Sequence, residues 1–370
     1  MRFYIDTTEL NAGISTVIKA MSSRSNSMTI LEGIYIAAYE GSILLKCSDL
    51  SLQIETILPA TVEEEGAIVL PGRIFSEMAK KLPGDSVYIS NEENTVTIKS
   101  GRAQTTLQAS SAMDYPDMPE VGAQFSVKIK QRTLKDMIKQ SIFATAQDDT
   151  KPILTGVLME LNANELTMVA LDGYRLAMRR ERLDGEYGER SVVVPGKSLS
   201  EISRILNDGD EDMVTLTFSK THVSLDMGYT TVISRLLDGE FIRYKQILPE
   251  DHATRASINR QELLDAIERA SLMAREGKNN LIKFSFKDEI VVLTANNDLG
   301  RIQEEIPITN TGNELDIAFN SKYFSDVLKC LEDDELFLDM NNNISPCVVR
   351  PMQGDEFFYL ILPVRLFSGM

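Results

Sequence analysis

The sequence predicts an α+β chain of three similar domains, each with two helices packed on antiparallel sheets. Three observations carry this: an amphipathic helix pattern that occurs three times, a second helix at a matching offset in each copy, and alternating strand patterns over most of the rest.

The opening helices carry Leu10, Ile14, Val17, Ile18 and Met21, then Leu134, Met137, Ile138 and Ile142, then Leu263, Ile267, Ala270 and Ala274. Steps of three and four place these groups on one helical face. The leading leucines lie 124 and 129 residues apart. The second helices begin at Pro71-Gly72-Arg73, Pro195-Gly196-Lys197 and Asn320-Ser321-Lys322, and Phe75, Leu199 and Phe324 within them are 124 and 125 residues apart. Two of the three start on Pro-Gly, which suits a chain entering a helix. Ser86–Ser90 and Thr95–Lys99 alternate around a polar turn over Asn91–Asn94. Val214–Phe218 with His222–Met227, and Leu281–Phe286 with Glu289–Thr294, read as the corresponding hairpins. Polar or proline-containing stretches at Pro119–Ala123 and Pro249–Ala253 set the expected domains at 1–121, 122–249 and 250–370. Helix plus strands occurs twice in each unit, so the chain reads as six variations on one half-unit.

Composition narrows the function. Of 370 residues 43% are hydrophobic, enough for real cores. No apolar run reaches the roughly 18 residues of a membrane span, and Met1–Asp6 alternates like a strand instead of forming a signal-peptide core. Three scattered cysteines, Cys47, Cys330 and Cys347, fit reduced thiols in a cytoplasm. No membrane partner is expected.

Catalytic patterns fail one by one. His222 falls in a strand pattern and His252 in a linker, neither spaced with a nucleophile or acid. Pro195-Gly196-Lys197-Ser198 ends like a phosphate loop, but Ser191 stands where the motif needs its first glycine. The acidic runs at 63–65, 148–149, 208–212 and 332–335 lack the spacing of a calcium loop. The expectation is a non-enzyme with no metal and no cofactor.

The net charge of −17 alone argues against nucleic acid. Its distribution does not. The helical stretches 7–24, 71–81, 130–145, 196–206, 259–278 and 320–331 together carry +8, which leaves −25 for the remainder. An acidic body whose helices are biased basic can present one positive surface.

Leu171-Asp172-Gly173-Tyr174-Arg175-Leu176-Ala177 resembles the Thr-Asp-Gly-His-Arg-Leu-Ala stretch of the bacterial DNA polymerase III beta subunit family, the beta sliding clamps. Leu237-Asp238-Gly239-Glu240-Phe241 with Tyr244 and Ile247-Leu248-Pro249 is similar to the end of that family's second domain, and Leu362-Pro363-Val364-Arg365-Leu366 to its C-terminal signature. Gly101-Arg102 and Phe319-Asn320 also fit, so the likeness spans the chain in order. It implies the DNA clamp fold, with N-terminal, central and C-terminal clamp domains. It further implies a ring formed as a head-to-tail homodimer that encircles double-stranded DNA without reading its sequence, with a helix-lined hole. Such a ring tethers the replicative polymerase and confers processivity. The implied partners are the polymerase alpha subunit, the clamp-loader subunits and other proteins carrying a clamp-binding motif. The implied location is the cytoplasm, at nucleoid replication forks.

Carried over by motif position, the partner-peptide groove comprises Leu154, Leu171, Gly173, Tyr174, Arg175, Leu176, Ile242, Ile247, Pro346, Leu360, Leu362, Pro363, Val364, Arg365 and Leu366. Arg175 would offer hydrogen bonds to the peptide. Arg24, Arg73, Gln147, Lys151 and Lys197 would meet DNA. Leu272 and Met273 would meet Arg73–Leu82 and Arg102–Gln108 of a second copy. Tyr174 stands where the family usually has His, Ile242 where it often has Pro, and Gln246 where it often has Arg; Phe367–Met370 extend past the signature. A competing reading is a repeat-built adaptor that binds only proteins. It shares the triplication and the groove but needs no basic surface.

Overall fold

Each helix starts where a strand ends, and three of them open on a capping side chain. Asp6 closes the strand Arg2–Asp6, and its Oδ1 accepts from the backbone N–H of Thr8 (2.7 Å) and Glu9 (3.1 Å) to open α1 (Thr7–Val17). Gly66–Pro71 runs into α2 (Gly72–Ala79), Phe125–Lys130 into α3 (Gln131–Ile142), and the long strand Arg175–Pro195 into α4 (Gly196–Ser203). Asn259 and Asn320 cap α5 (Arg260–Ala274) and α6 (Ser321–Cys330) as Asp6 caps α1. The computed structural model describes residues 1–22, 28–119, 121–122, 125–148, 150–275 and 280–365. Among these, a strand, a helix and three strands recur five times; in the remaining half-unit α3 is followed by two long strands, Gly156–Leu171 and Arg175–Pro195, the second of which also leads into α4.

The chain forms two contact units, residues 1–134 with 197–236, and residues 135–196 with 237–370. The first holds a five-stranded sheet, ordered 61–64, 2–6, 86–92, 95–100 and 103–108. It also holds a nine-stranded sheet in which Leu52–Pro59 pairs with Thr230–Arg235, from Leu52↔Ser234 to Thr56↔Thr230. The second unit holds a ten-stranded sheet in which the start of Arg175–Pro195 pairs with Phe357–Ile361, from Arg175↔Ile361 to Arg179↔Phe357. Every pairing in these sheets is antiparallel. Two sheets thus continue across the expected domain boundaries, one through the first five residues of Leu52–Pro59 and the other through the first five of Arg175–Pro195.

The apolar helix faces are buried, with three adjustments. Ile18 and Met21 are only half-buried, because α1 ends earlier than the periodicity suggests and tightens into a 3-10 turn over Ile18–Ala20; Ile142, the last residue of α3, is half-buried as well. The hairpin expected to turn over Asn91–Asn94 keeps pairing through Glu92↔Thr95, so its turn is only Glu93-Asn94. The Pro-Gly pairs have a packing cause. A Cβ on Gly72 would lie 2.9 Å from the Glu32 carbonyl oxygen, and one on Gly196 would lie 2.8 Å from that of Thr155. Both carbonyls end equivalent 3-10 turns, Thr29–Glu32 and Pro152–Thr155, so close backbone approach selects glycine there and no phosphate need be invoked.

Candidate functional site: apolar residues beside a glycine turn

The residues expected to line the groove fall within the second contact unit, around the turn that opens the strand Arg175–Pro195. Asp172 Oδ1 accepts from the backbone N–H of Tyr174 (2.9 Å) and of Arg175 (3.1 Å). Gly173 sits between them at φ +92°, where a side chain would be strained. Arg175 is buried. Its Nε donates to Asp172 Oδ2 at 3.0 Å, one Nη donates to Asp326 Oδ2 at 2.6 Å and the other to the Phe143 carbonyl at 2.5 Å. The same guanidinium stacks on Tyr323 at 4.7 Å. With three of its five N–H groups engaged, by Asp172 of the turn, Asp326 of α6 and the Phe143 carbonyl, Arg175 ties these segments together. The geometry does not present it as the free donor that the sequence reading assigns to a bound peptide. Asp172, Asp326 and Tyr323, which hold it, were not on the sequence-derived roster; the Asp-Gly pair was the one local signal for such a turn.

Leu154, Leu171, Leu176 and Leu360 share one buried cluster with Val348, Met178, Phe358 and Tyr244, and Phe241 and Leu248 pack against it. This is the floor. Alternation puts Leu176 and Leu360 on the same face, since the two residues pair directly across the strands. Tyr244 is fixed by its hydroxyl, which donates to Glu160 Oε2 at 2.6 Å. Above the floor stand apolar groups that the chain itself leaves open. Tyr174 is 61% exposed and stacks on Tyr323 at 6.1 Å, and Ile242, Ile247 and Leu362 are also exposed. The Leu362 N–H donates to the Tyr174 carbonyl at 2.9 Å and the Val364 N–H to that of Ala318 at 2.8 Å, which pins the C-terminal segment along the groove. Pro346, Pro363 and Val364 are half-buried and Arg365 is exposed. Leu366 and the extension 367–370 lie outside the described residues.

The expected DNA contacts are dispersed over both units. Arg73 stands exposed in the first turn of α2, 3.7 Å from Glu77, and Lys197 is exposed in the first turn of α4. Gln147 and Lys151 are exposed in the loop after α3. Arg24 and Asp149 lie outside the described residues. Several basic helix residues are held by neighbouring acids: Arg132 by Asp210 at 3.2 Å, Arg204 by Glu201 at 3.0 Å and Lys329 by Glu268 at 2.8 Å. Lys151 and Lys197 make no ion pair among the described residues. At the expected contact between copies, Leu272 is exposed on α5 and Met273 half-buried.

Sequence profiles of the DNA polymerase III beta subunit match the chain in three consecutive parts: the N-terminal domain over residues 1–119, the central domain over 128–242 and the C-terminal domain over 245–365. The beta sliding clamp of Staphylococcus epidermidis is 37% identical over 365 residues, covering 96% of this chain and 96% of the relative. That of Staphylococcus aureus is 36% identical over 378 residues, covering 99% and 100%. Among solved structures, the DNA polymerase sliding clamp from Bacillus subtilis superposes with a TM-score of 0.95 at 36% identity, covering 99% of this chain and 100% of that one. A putative DNA polymerase III beta subunit from Eubacterium rectale gives 0.94 at 36% identity, with the same coverage. The repeated half-unit, the shared sheets and these full-length likenesses agree: the chain belongs to the DNA polymerase III beta subunit family, the beta sliding clamps.

Proposed function

We propose that this sliding clamp closes with a second copy of itself, head to tail, around duplex DNA, and that its apolar groove holds short peptide segments of the polymerase alpha subunit, the clamp loader and other partners. As a member of its family it is a processivity subunit, not itself catalytic. Helices biased basic suit a surface that must neutralise phosphates without reading bases. Arg24, Arg73, Gln147, Lys151 and Lys197 are the groups proposed to do so. The divisions near residues 121 and 249 are proposed as its domain limits, and the cytoplasm, at replication forks, as its place of action. Among the described residues no helix is long and apolar enough to cross a membrane.

The observation that carries the closed ring is the state of the hairpin strands. Three turns share one geometry. Asp49 Oδ1 accepts from Ser51 and Leu52 N–H at 2.9 and 2.7 Å, Asp172 does the same for Tyr174 and Arg175, and Asn297 Oδ1 accepts from Leu299 and Gly300 N–H at 2.8 and 3.1 Å. After the first two turns, five residues pair with a strand end from another half-unit. After the third, residues 300–304 pair on one side only among the described residues, and so does the strand Ala103–Gln108. Applying the same register sets Ile302 opposite Thr105 of a second copy. Its equivalents, Ile54↔Val232 and Ala177↔Tyr359, are buried pairs. A contact that uses two different edges on the two copies is head to tail, and closes if the rotation permits.

A Thr105→Cys, Ile302→Cys double variant tests this. Under mild oxidation it should form two disulfides per dimer, one at each contact, visible as a slow species on a denaturing gel. Either single variant should stay uncrosslinked. The native thiols should not interfere, since Cys47 and Cys347 are buried and burial pushes the Cys330 thiol up to about 12. Crosslinking no greater in the double variant than in the singles would remove the proposed register.

A further inference from the structure

The sheet face that floors the groove continues past it. Leu176, Met178 and Arg180 alternate onto one face of their strand, Phe358 pairs with Met178 as Leu360 pairs with Leu176, and Arg350 lies two residues beyond Val348. One alternation along a strand is about 7 Å. At that distance the face forms a cavity of about 210 Å³ lined by Met178, Leu248, Pro351, Phe358, Arg180 and Arg350 among others. Ligand and cofactor cavities usually exceed about 300 Å³, so this one suits a single apolar side chain.

Its rim carries a guanidinium with little to do. Asp339, the buried carboxylate nearest Arg350, already receives two hydrogen bonds from Arg255, at 2.6 and 2.8 Å. Arg350 Nε lies 3.3 Å from the same carboxylate but makes no hydrogen bond. The Arg350 guanidinium instead lies over the Phe358 ring, 4.8 Å from its centre. Across the cavity, Arg180 is engaged by Asp355 at 2.7 Å. Two arginines and one aspartate line the cavity, with Asp339 3.3 Å from Arg350 and Glu165 3.9 Å from Arg180. A planar cation beside an apolar pocket matches a carboxylate next to an apolar group.

We propose that Arg350 and this cavity form a second recognition site, which takes an acidic side chain and an adjacent apolar side chain of the same partner polypeptide whose anchors occupy the groove. The proposal rests on the groove reading above. Segments that bind the groove alone and segments that also reach Arg350 would then differ in affinity, which gives the clamp a means of ranking partners that share one anchor.

The test uses the full-length protein and three labelled peptides, followed by fluorescence anisotropy. One is a short core with Leu and Phe anchors. The others carry the same core extended by Gly-Gly-Leu-Glu at its C-terminal end or by Glu-Leu-Gly-Gly at its N-terminal end. One extended peptide should bind about tenfold more tightly than the core. R350A and R350Q should both remove that gain and leave core binding unchanged, and the gain should shrink with added salt. If neither extension gains, if the gain survives both variants, or if both variants lose the core as well, the second site is overturned. Failure of the core peptide to bind the unmodified protein would instead overturn the groove reading on which the proposal depends.

Discussion

Replacing Leu272 and Met273 together with aspartate should give a folded monomer at concentrations where the unmodified chain is a dimer. Leu272 is 63% exposed on α5, so a charge there is solvated in the isolated copy and the core behind it, Ala270, Ser271 and Ala274, is untouched. In the proposed contact the same charges would have to leave water beside the partner's apolar groups. Two apolar side chains contribute about 1.5–3 kcal/mol each when buried, and an unpaired charge adds a penalty of its own. A loss of about 4 kcal/mol or more weakens association roughly a thousandfold. Sedimentation velocity with a thermal melt measures both halves of this expectation. A double variant that still sediments as a dimer at low micromolar concentration would place the contact elsewhere.

The second large effect concerns the groove. Removing Leu362–Met370 should abolish binding of polymerase and loader peptides, a loss of at least a hundredfold. Leu362 supplies exposed apolar surface at the rim, and the segment from 362 to 364 is tied down by two backbone hydrogen bonds, to Tyr174 and to Ala318. Its loss removes one wall of the groove and frees the turn that Asp172 and Arg175 hold. The strand Phe357–Ile361 ends before the cut and keeps its pairing with Arg175–Arg179, so the fold should survive. Removing only Phe367–Met370 should leave binding intact or improve it, since those residues lie past the family signature. Anisotropy titrations on both truncations measure this. Equal affinity in the longer truncation and the full chain would move the peptide site away from this face.

Helix positions and the repeat were legible because periodicity and the 124-residue offset are properties of the string itself. Helix ends were less so. Nothing in the spacing of Val17, Ile18 and Met21 signals that the chain tightens after Val17. The junction of sheets across domain limits was not legible at all. Strand pairing between Leu52–Thr56 and Thr230–Ser234 is a contact nearly 180 residues apart, and alternation names a face but not a neighbour. The groove residues came from the family likeness, whereas Arg175 shows what such a transfer leaves open. Its position was given, yet its role depends on Asp326 and Phe143, which no local pattern links to it.

The proposed encirclement is a topological property: a ring that surrounds DNA stays on it without a tight contact. Clamp loaded onto a nicked circular plasmid and then moved to 0.5 M salt should remain bound, since phosphate contacts are screened but an unbroken ring has no way off. Cutting the plasmid once should release it within minutes, and the oxidised Thr105→Cys, Ile302→Cys ring should behave the same way when sealed after loading. Equal retention on circular and linear DNA, or equal loss from both, would contradict encirclement and leave a protein-binding adaptor as the better description.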